Sequence, residues 1–248
     1  MPSRAPELFA ICVDAIKRDT LIERPSGRDK EFALQNWVKD RLEELAMPYK
    51  ESGRNKYPGF ILTGEPEGFE VKGLATPGRV VNYDSNSSVP TGNHNGREIY
   101  YVFARYPETK ETKFAVHDLV ICHGDFMNPG SDYVHKNKSF KTFGAYGDIL
   151  VRDRKMYVVR TPHDIATGLE KQRTLIIPAS ESAPEGLIEV GRITRQECEK
   201  IPVIYQFDFR TNELTTIEEP NPTAGQLHEF VAYRVPGEEK PPVSLRRA

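Results

Sequence analysis

The chain has 248 residues and a formal net charge of −2, because 34 Lys and Arg are balanced by 36 Asp and Glu. A hydrophobic fraction of 38% and a mean hydropathy of −0.56 are typical of a soluble globular protein. The near-neutral charge excludes a wholesale basic nucleic-acid binder, so any contact with DNA must come from local clusters.

Two N-terminal helices are predicted from apolar residues at helical spacing, at about Pro6–Arg18 and about Asp29–Ala46. Glu31 lies seven positions before Val38 and eleven before Leu42, which places it on the apolar face of the second helix. This carboxylate either stabilises the helix N-terminus as a favourable charge or projects under the helix toward the next segment. The sequence leaves both interpretations open.

A β-hairpin is predicted next, because the apolar runs Tyr57–Thr63 and Gly68–Leu74 flank a Gly-Glu-Pro-Glu turn. A turn centred on the Glu-Pro pair would place Gly59 opposite Lys72. By the same register Ile61 would stand opposite Glu70.

Glu70 and Lys72 are expected on one face of the second strand, with Val71 on the other, because side chains alternate along a strand. A carboxylate and an amine side by side on a half-buried strand are costly unless they pair or bind something. In metal-dependent phosphodiester cleavage, the carboxylate ligates Mg²⁺ and the ammonium orients the attacking water. An ordinary surface ion pair is the alternative, since Glu-x-Lys is a common sequence.

A helix with Glu31, followed by Tyr57-Pro-Gly-Phe-Ile-Leu62 and Gly68-Phe-Glu-Val-Lys72, resembles the PD-(D/E)xK nuclease core, in particular the type II restriction endonucleases. The resemblance covers about residues 31–74. It implies an α/β fold in which a mixed central sheet is flanked by helices, here with a strand-rich C-terminal half.

The resemblance also implies a catalytic set. Glu70 would be the metal-binding acid and Lys72 the catalytic lysine, while Glu31 matches the auxiliary helix carboxylate of some members. The backbone carbonyl of Val71 would be a further ligand, and Mg²⁺ would be the metal.

One position departs from the family pattern. The Pro-Asp pair of the family reads Pro58-Gly59 here, so the first metal-binding aspartate is absent. Either Glu31, Asp84 or a shifted acid supplies the missing ligand, or the chain is catalytically weak or inactive.

Two polar segments, Thr76–Arg97 and Asn128–Lys155, are candidate DNA surfaces. The first contains a loop of roughly 20 residues, a length that is usually functional or mobile, and the second interleaves basic and aromatic residues. Basic side chains neutralise phosphates, and Asn, Ser and His side chains suit phosphate oxygens and base edges. The candidate DNA-binding residues are Arg79, Asp84, Ser85, Asn86, Ser87, Asn93, His94, Arg97, His135, Lys136, Asn137, Lys138, Lys141, Arg152 and Arg154. Solvated loops are the alternative for both segments.

The fragments Gly92-Asn-His-Asn95 and His123-Gly-Asp125 superficially resemble metallophosphatase motifs. Their order is reversed relative to that family and no Asp-x-His element precedes them, which argues against that function. His117 and His123 are therefore interpreted as packing or hydrogen-bonding residues.

The rest of the sequence predicts further β-strands. They are Glu98–Tyr106, Phe114–Cys122, strands within Gly147–Val159, Arg173–Pro178, Ile201–Phe209, Leu214–Ile217 and Leu227–Val235. Residues 1–160 are expected to form the nuclease-like core and residues 161–248 a strand-rich extension packed on it, with a single domain as the alternative. The polar, Pro-rich end from Pro236 is expected to be frayed.

We expect a Mg²⁺-dependent, sequence-specific hydrolase of phosphodiester bonds in double-stranded DNA, acting in restriction–modification as a homodimer. A cytoplasmic location without a membrane partner is expected, because no apolar run spans a membrane and the start of the chain predicts no signal peptide. Three widely spaced cysteines suit reduced thiols better than disulfides or a zinc site. The alternatives are a weak or inactive DNA-binding protein on the same scaffold, and an unrelated protein in which Glu70 and Lys72 are a structural pair.

Overall fold

The structure is a computed structural model, and it describes residues 3–24, 32–53, 57–78, 83, 91–129, 148–152, 163–208 and 213–247. Within these ranges the helices are α1 (Ala5–Lys17) and α2 (Ala33–Glu44). The strands are, in chain order, β1 (Ile22–Glu23), β2 (Tyr49–Glu51), β3 (Phe60–Leu62), β4 (Glu67–Thr76), β5 (Asn93–His94), β6 (Arg97–Pro107), β7 (Lys113–Phe114), β8 (Asp118–His123), β9 (Asp148–Arg152), β10 (His163–Thr167), β11 (Arg173–Pro178), β12 (Ile188–Gln196), β13 (Lys200–Asp208), β14 (Glu213–Pro220), β15 (Leu227–Arg234) and β16 (Ser244–Arg247). A single 3₁₀ turn, Gly124–Phe126, follows β8.

Both predicted helices are present. In α1, Pro6 occupies the first turn, where the helix needs no amide hydrogen, and Lys17 in the last turn complements the helix dipole. In α2 the buried stripe includes Trp37 and Val38, as the helical spacing predicts. Glu31 precedes α2 and lies outside the described residues. No helix within the described ranges is long and apolar enough to cross a membrane.

A large mixed sheet runs through the fold in the order β12–β15–β11–β8–β6–β4–β3–β2, with β5 paired beside β6. β4 and β6 are parallel, as are β8 and β11, and the other neighbouring strands are antiparallel. Smaller sheets pair β1 with β7, β10 with β16, and β13 with both β9 and β14. The predicted α/β class, with a mixed sheet flanked by helices and a strand-rich second half, is confirmed at this level.

The large sheet has an apolar core on each face. The helices lie on one face, where Phe69 and Tyr100 pack in the same buried cluster as Phe9 and Trp37. The core of the opposite face is formed by alternate residues of the same strands, among them Tyr101, Cys122, Ile176 and Phe230. Because side chains alternate across a strand, sequence neighbours such as Tyr100 and Tyr101 belong to different cores.

The strand predicted at Phe114–Cys122 is divided in two. β7 ends at Phe114 and pairs with β1, whereas β8 begins at Asp118 and joins the large sheet. Between them, His117 donates its backbone N–H to the carbonyl of Arg105 at 2.7 Å. The apolar alternation continues through this break, so it does not reveal the change of partner strand.

The C-terminal half contributes β11, β12 and β15 to the same sheet as β4 and β6, so the sheet crosses the boundary suggested at residue 160. The expectation of a frayed end is wrong. β16 pairs with β10, and Val243 is buried with its N–H donating to the carbonyl of Val190 at 2.8 Å. The sequence does not predict β12, because a register shift between Glu189 and Gly191 interrupts its alternation.

Two carboxyl groups, one buried (Glu67) and one half-buried (Glu181), lie near the N-terminal ends of β4 and β6. Glu67 accepts the backbone N–H of Arg4 at 3.1 Å, and Glu181 accepts the hydroxyl of Tyr100 at 3.4 Å. Burial raises the pKa of each carboxyl to about 7, and the negative charge of Glu98 acts in the same direction. Both groups therefore hold a proton in the folded state at mildly acidic pH.

We expect the double variant Glu67→Gln with Glu181→Gln to be more stable than the parent above pH 7 and nearly equally stable at about pH 4, below the ordinary pKa of a glutamate. Between about 4.5 and 7, the folded parent binds protons that the unfolded chain has released, so its stability falls as pH rises through this window. Thermal unfolding of both proteins from pH 4 to pH 8 measures the difference. Burial lowers the pKa of His123 to about 4, so this residue makes the protein more stable as pH rises. The contribution of His123 is the same in the parent and in the double variant, and it cancels in the difference. A difference that did not vary with pH would contradict the prediction.

Candidate functional site

Glu70 and Lys72 form an ion pair on β4. Lys72 Nζ lies 2.9 Å from Glu70 Oε1, and the two side chains are 14% and 13% exposed. In the parallel register, Glu70 is beside Tyr101 of β6 and Lys72 is beside Phe103, so the pair projects from the face opposite the helices. Val71 packs against the core on the helix face, as the alternation predicts. The structure therefore brings the predicted carboxylate and amine together at a half-buried position.

The register of the β3–β4 hairpin differs from the prediction by two residues. Phe60 pairs with Phe69, which sets Gly59 opposite Glu70 rather than opposite Lys72. The reason is the turn, whose centre lies between Gly64 and Glu65, one residue earlier than expected. A shift of two residues changes the partner but not the face, so Gly59 still stands beside the ion pair.

Gly59 donates its backbone N–H to Glu70 Oε2 at 2.9 Å. A Cβ atom built on Gly59 would meet its nearest neighbours at ordinary contact distances, 3.6 Å from the carbonyl oxygen of Phe69 and 3.7 Å from both Glu70 Oε2 and Gln35 Nε2. This position can therefore accept a side chain, and that side chain would lie next to the Glu70 carboxylate.

Among the described residues of α2, Gln35 is the one whose side chain lies beside the Cβ position of Gly59. Sequence reasoning did not identify it. The available signal was its position four residues after Glu31, because residues four apart share one face of a helix. Glu31 itself lies outside the described residues, so both interpretations of that carboxylate remain predictions.

A row of aromatic rings adjoins the pair. The hydroxyl groups of Tyr57 and Tyr101 are 2.6 Å apart, and the Tyr57 ring meets His94 edge-on at 4.9 Å. Tyr101 stacks on Phe103 at 5.8 Å, and Tyr83 lies 4.8 Å from Phe103. Burial raises the pKa of the Tyr57 phenol, and the negative charge on the neighbouring Glu70 carboxylate also acts to raise it. The phenol is therefore a neutral hydroxyl at physiological pH.

Three predicted DNA-binding side chains are described in full, and each has local contacts. Arg97 Nη1 donates to the carbonyls of Leu62 and Glu65 at 3.0 Å, which fastens the β3–β4 turn. Asn93 Oδ1 accepts the N–H of Gly96 at 3.1 Å within the β5–β6 turn. His94 contacts Tyr57 and so lies on the side of the fold that carries Glu70. The contacts of Arg97 and Asn93 give these residues structural roles, and their contact with DNA stays a prediction.

Arg152 ends β9, and its backbone belongs to the small β14–β13–β9 sheet rather than to the sheet of Glu70. The other predicted DNA-contacting residues lie outside the described residues; they are Arg79, Asp84, Ser85, Asn86, Ser87, His135, Lys136, Asn137, Lys138, Lys141 and Arg154.

His123 and Gly92, from the two metallophosphatase-like fragments, lie close together. A Cβ on Gly92 would fall 2.6 Å from His123 Cε1, so the segments pack at van der Waals contact and need glycine there. His123 Nδ1 accepts the backbone N–H of Asp125 at 3.2 Å, and its ring meets Tyr100 edge-on. These contacts confirm His123 as a packing and hydrogen-bonding residue.

The ligand set that the structure describes is only part of what a Mg²⁺ site needs. Glu70 and the Val71 carbonyl supply the hard oxygen atoms that Mg²⁺ prefers, but Gly59 supplies no side chain. Among the described residues, no group of three or more His, Cys, Asp or Glu side chains is placed to hold a metal. Both oxygens of Glu70 are already engaged, one by Lys72 and the other by the N–H of Gly59.

Comparison of the chain with protein-family models, with curated proteins and with solved structures finds no match.

Proposed function

We propose that this protein is a Mg²⁺-dependent nuclease of the type II restriction endonuclease kind, hydrolysing phosphodiester bonds in double-stranded DNA at a specific sequence. The observation that carries the proposal is the Glu70–Lys72 pair, held at 2.9 Å on the second strand of a hairpin. The mixed sheet and the contact of α2 with β4 are compatible with the PD-(D/E)xK arrangement. A homodimer would match the two-fold symmetry of a palindromic site.

In the proposed reaction, Glu70 and the Val71 carbonyl would hold the metal. The bound ion would supply a Lewis acid and a water of lowered pKa. Lys72 orients the attacking water and offsets the charge that develops on the phosphate, because its ammonium group is fixed beside Glu70. The site is closed on one side by Tyr101 and Phe103, which keeps this part of the strand partly dry and strengthens the electrostatic interactions.

A DNA-binding protein without nuclease activity is the second candidate, and one observation favours it. Gly59 contributes a backbone N–H where the family has a carboxylate, and this N–H together with Lys72 satisfies Glu70 without a metal. A Glu70 carboxylate that already has both of these partners can stabilise the strand without binding Mg²⁺.

We expect Lys72→Ala to reduce Mg²⁺-dependent cleavage of a mixed-sequence plasmid by about 10²-fold or more, because a positioned charge is lost where it acts in the transition state. The affinity for the same DNA, measured by gel shift, should change by only a few-fold. Lys50→Ala, which removes an exposed lysine from β2, the edge strand separated from β4 by β3, serves as the matched control.

Three results separate the candidates. A fully active Lys72→Ala protein would remove this residue from the mechanism. Binding of DNA by the parent without cleavage in Mg²⁺ would favour the second candidate. If the parent neither binds nor cleaves DNA, the pair is a structural ion pair in a protein of another class.

A further inference from the structure

A cleft of about 400 Å³ lies at the carboxyl ends of the parallel strands β8 and β11, away from the Glu70–Lys72 pair. Asp125 follows β8 into its wall, Ser180 follows β11, and His228 enters from β15. Leu227 and Phe230 give the cleft an apolar side. The carboxyl ends of parallel strands are a common place for ligands in open α/β sheets, and convergent polar groups in an apolar cleft indicate a binding site.

Glu197 fixes the orientation of His228. His228 Nε2 lies 2.7 Å from Glu197 Oε1, and the Glu197 side chain is 3% exposed. Glu197 Oε2 accepts hydrogen bonds from Asn221 Nδ2 at 2.9 Å and from Thr223 Oγ1. Burial acts to raise the pKa of Glu197, but the hydrogen bonds from Thr223, Asn221 and His228 outweigh it and lower the pKa below its ordinary value.

The consequence is a defined tautomer of His228. Because Glu197 is an ionised acceptor, the imidazole carries its proton on Nε2 and donates it to the carboxylate. Nδ1 is left as a proton acceptor on a ring that lines the cleft. A base held by a buried carboxylate in this way is the arrangement that activates hydroxyl nucleophiles in enzymes.

Among the described residues that line the cleft, Ser180 is the one with a hydroxyl group. Pro178 pairs with Phe230 and the N–H of Ala179 donates to the carbonyl of Glu229 at 2.8 Å, so the turn that carries Ser180 starts beside the segment of β15 that carries His228. Both residues line the same cleft, and Ser180 is exposed at the turn that ends β11. No hydrogen bond joins the two side chains among the described residues, so attack requires rotation of the exposed Ser180 hydroxyl toward the imidazole.

We propose that this cleft is a second, ester-hydrolysing site in which Ser180 is the nucleophile, His228 the base and Glu197 a positioning residue. The O–H bond of Ser180 breaks as His228 Nδ1 takes the proton, and Oγ bonds to the acyl carbon of the ester. The bond between the acyl carbon and the alcohol oxygen then breaks, and the leaving alcohol receives that proton from His228. Water, deprotonated by the same imidazole, cleaves the acyl-serine and restores the hydroxyl.

The walls of the cleft restrict the substrate. The carboxylates of Asp125 and Glu229 disfavour an anionic substrate, whereas Leu227 and Phe230 suit a short apolar acyl group. Neutral or amine-bearing esters of small carboxylic acids are therefore the class that fits. The p-nitrophenyl ester of butyric acid should be hydrolysed faster than the corresponding succinate half-ester, which carries a negative charge.

A biotinylated fluorophosphonate tests the nucleophile directly, because the serine oxygen displaces fluoride from phosphorus and stays labelled. We expect the full-length folded protein to be labelled at Ser180, as mapped by peptide mass spectrometry. Ser180→Ala should abolish labelling, and Ser182→Ala, at a second exposed serine two residues away, should leave it unchanged. Absence of label, or label on a different residue, would overturn the proposal.

Further variants separate the roles of His228 and Glu197. His228→Gln should slow labelling of Ser180 by about 10²-fold or more, as expected for loss of a general base. Glu197→Gln should slow the labelling of Ser180, and Glu197→Asp, which keeps a carboxylate acceptor for the imidazole, should recover much of the rate. Labelling of Glu197→Gln at the parent rate would show that Glu197 has no positioning role. Lys72→Ala should be labelled at the parent rate, so the outcome is independent of the proposed nuclease site.

Discussion

Gly59→Asp should create, or greatly raise, Mg²⁺-dependent cleavage of plasmid DNA. The new side chain would start from a Cβ position that lies 3.7 Å from Glu70 Oε2, with its nearest neighbour, the carbonyl oxygen of Phe69, at 3.6 Å. The backbone of Gly59 is not in the left-handed region, so an aspartate there is unstrained. Two carboxylates would then flank one point beside Lys72, which gives Mg²⁺ a second hard oxygen ligand beside Glu70 that Gly59 does not supply.

The same substitution should make thermal stability depend on Mg²⁺. In the absence of metal, the repulsion between two adjacent carboxylates destabilises the folded variant, and bound Mg²⁺ relieves that repulsion. Binding to the folded state alone stabilises by about 2.7 kcal/mol when the free ion is at 100 times its Kd. A rise in Tm with added Mg²⁺ should therefore appear in Gly59→Asp and be much smaller in the parent.

Gly59→Asn is the matched control, because asparagine has nearly the same size and no charge. It should show neither the cleavage nor the Mg²⁺-dependent rise in Tm. If the parent already cleaves well and aspartate adds little, Glu31 or Asp84 already supplies the second acid. If the parent is inactive and Gly59→Asp gains neither property, the hairpin is not a nuclease centre as proposed.

The local parts of this site could be predicted from the sequence, because they depend on periodicity. Side-chain alternation along β4 places Glu70 and Lys72 on one face of the sheet in any pairing register. The predicted pairing of β3 with β4 is wrong by two residues, and because this is an even number Gly59 still lies on the same face as the ion pair. The partner of Gly59 could not be predicted, since it depends on which residues form the turn.

The contacts made by distant parts of the chain could not be predicted. Gln35 approaches Gly59 only because α2 packs beside β4. Glu197 and His228 meet because β12 and β15 pair antiparallel, and the irregular register of β12 conceals that strand in the sequence. Arg97 suits a phosphate contact by residue type, yet its guanidinium is used to hold the hairpin turn.

Arg234→Met should be among the most destabilising substitutions in the chain. Arg234 is fully buried, and its guanidinium donates to Thr174 Oγ1 at 3.1 Å and to the carbonyls of Glu238 at 3.1 Å and Pro241 at 2.7 Å. It also donates to the carbonyl of Gly168. These contacts join the end of β15 to β11, to the segment after β10 and to the loop that leads into β16. Methionine fills much of the same volume and leaves all four acceptors without their donor.

Two opposing effects decide the size of the loss. A buried acceptor left unsatisfied costs about 1–3 kcal/mol, whereas removing a buried charge recovers a desolvation penalty of several kcal/mol. Because four acceptors are affected, we expect a net loss of about 3 kcal/mol in the free energy of unfolding, which corresponds to a fall in Tm of roughly 10 °C for a chain of this size. Urea denaturation and thermal melts measure this loss.

The Tm of Arg234→Lys should lie between those of the parent and Arg234→Met, because lysine keeps the charge but lacks the planar fork of donors. Arg192→Met, at an exposed ion pair with Glu189, should leave Tm unchanged. A parent-like Tm for Arg234→Met would show that water can satisfy the four acceptors, and that the C-terminal segment is held to the sheet by apolar contacts such as those of Val243 rather than by this arginine.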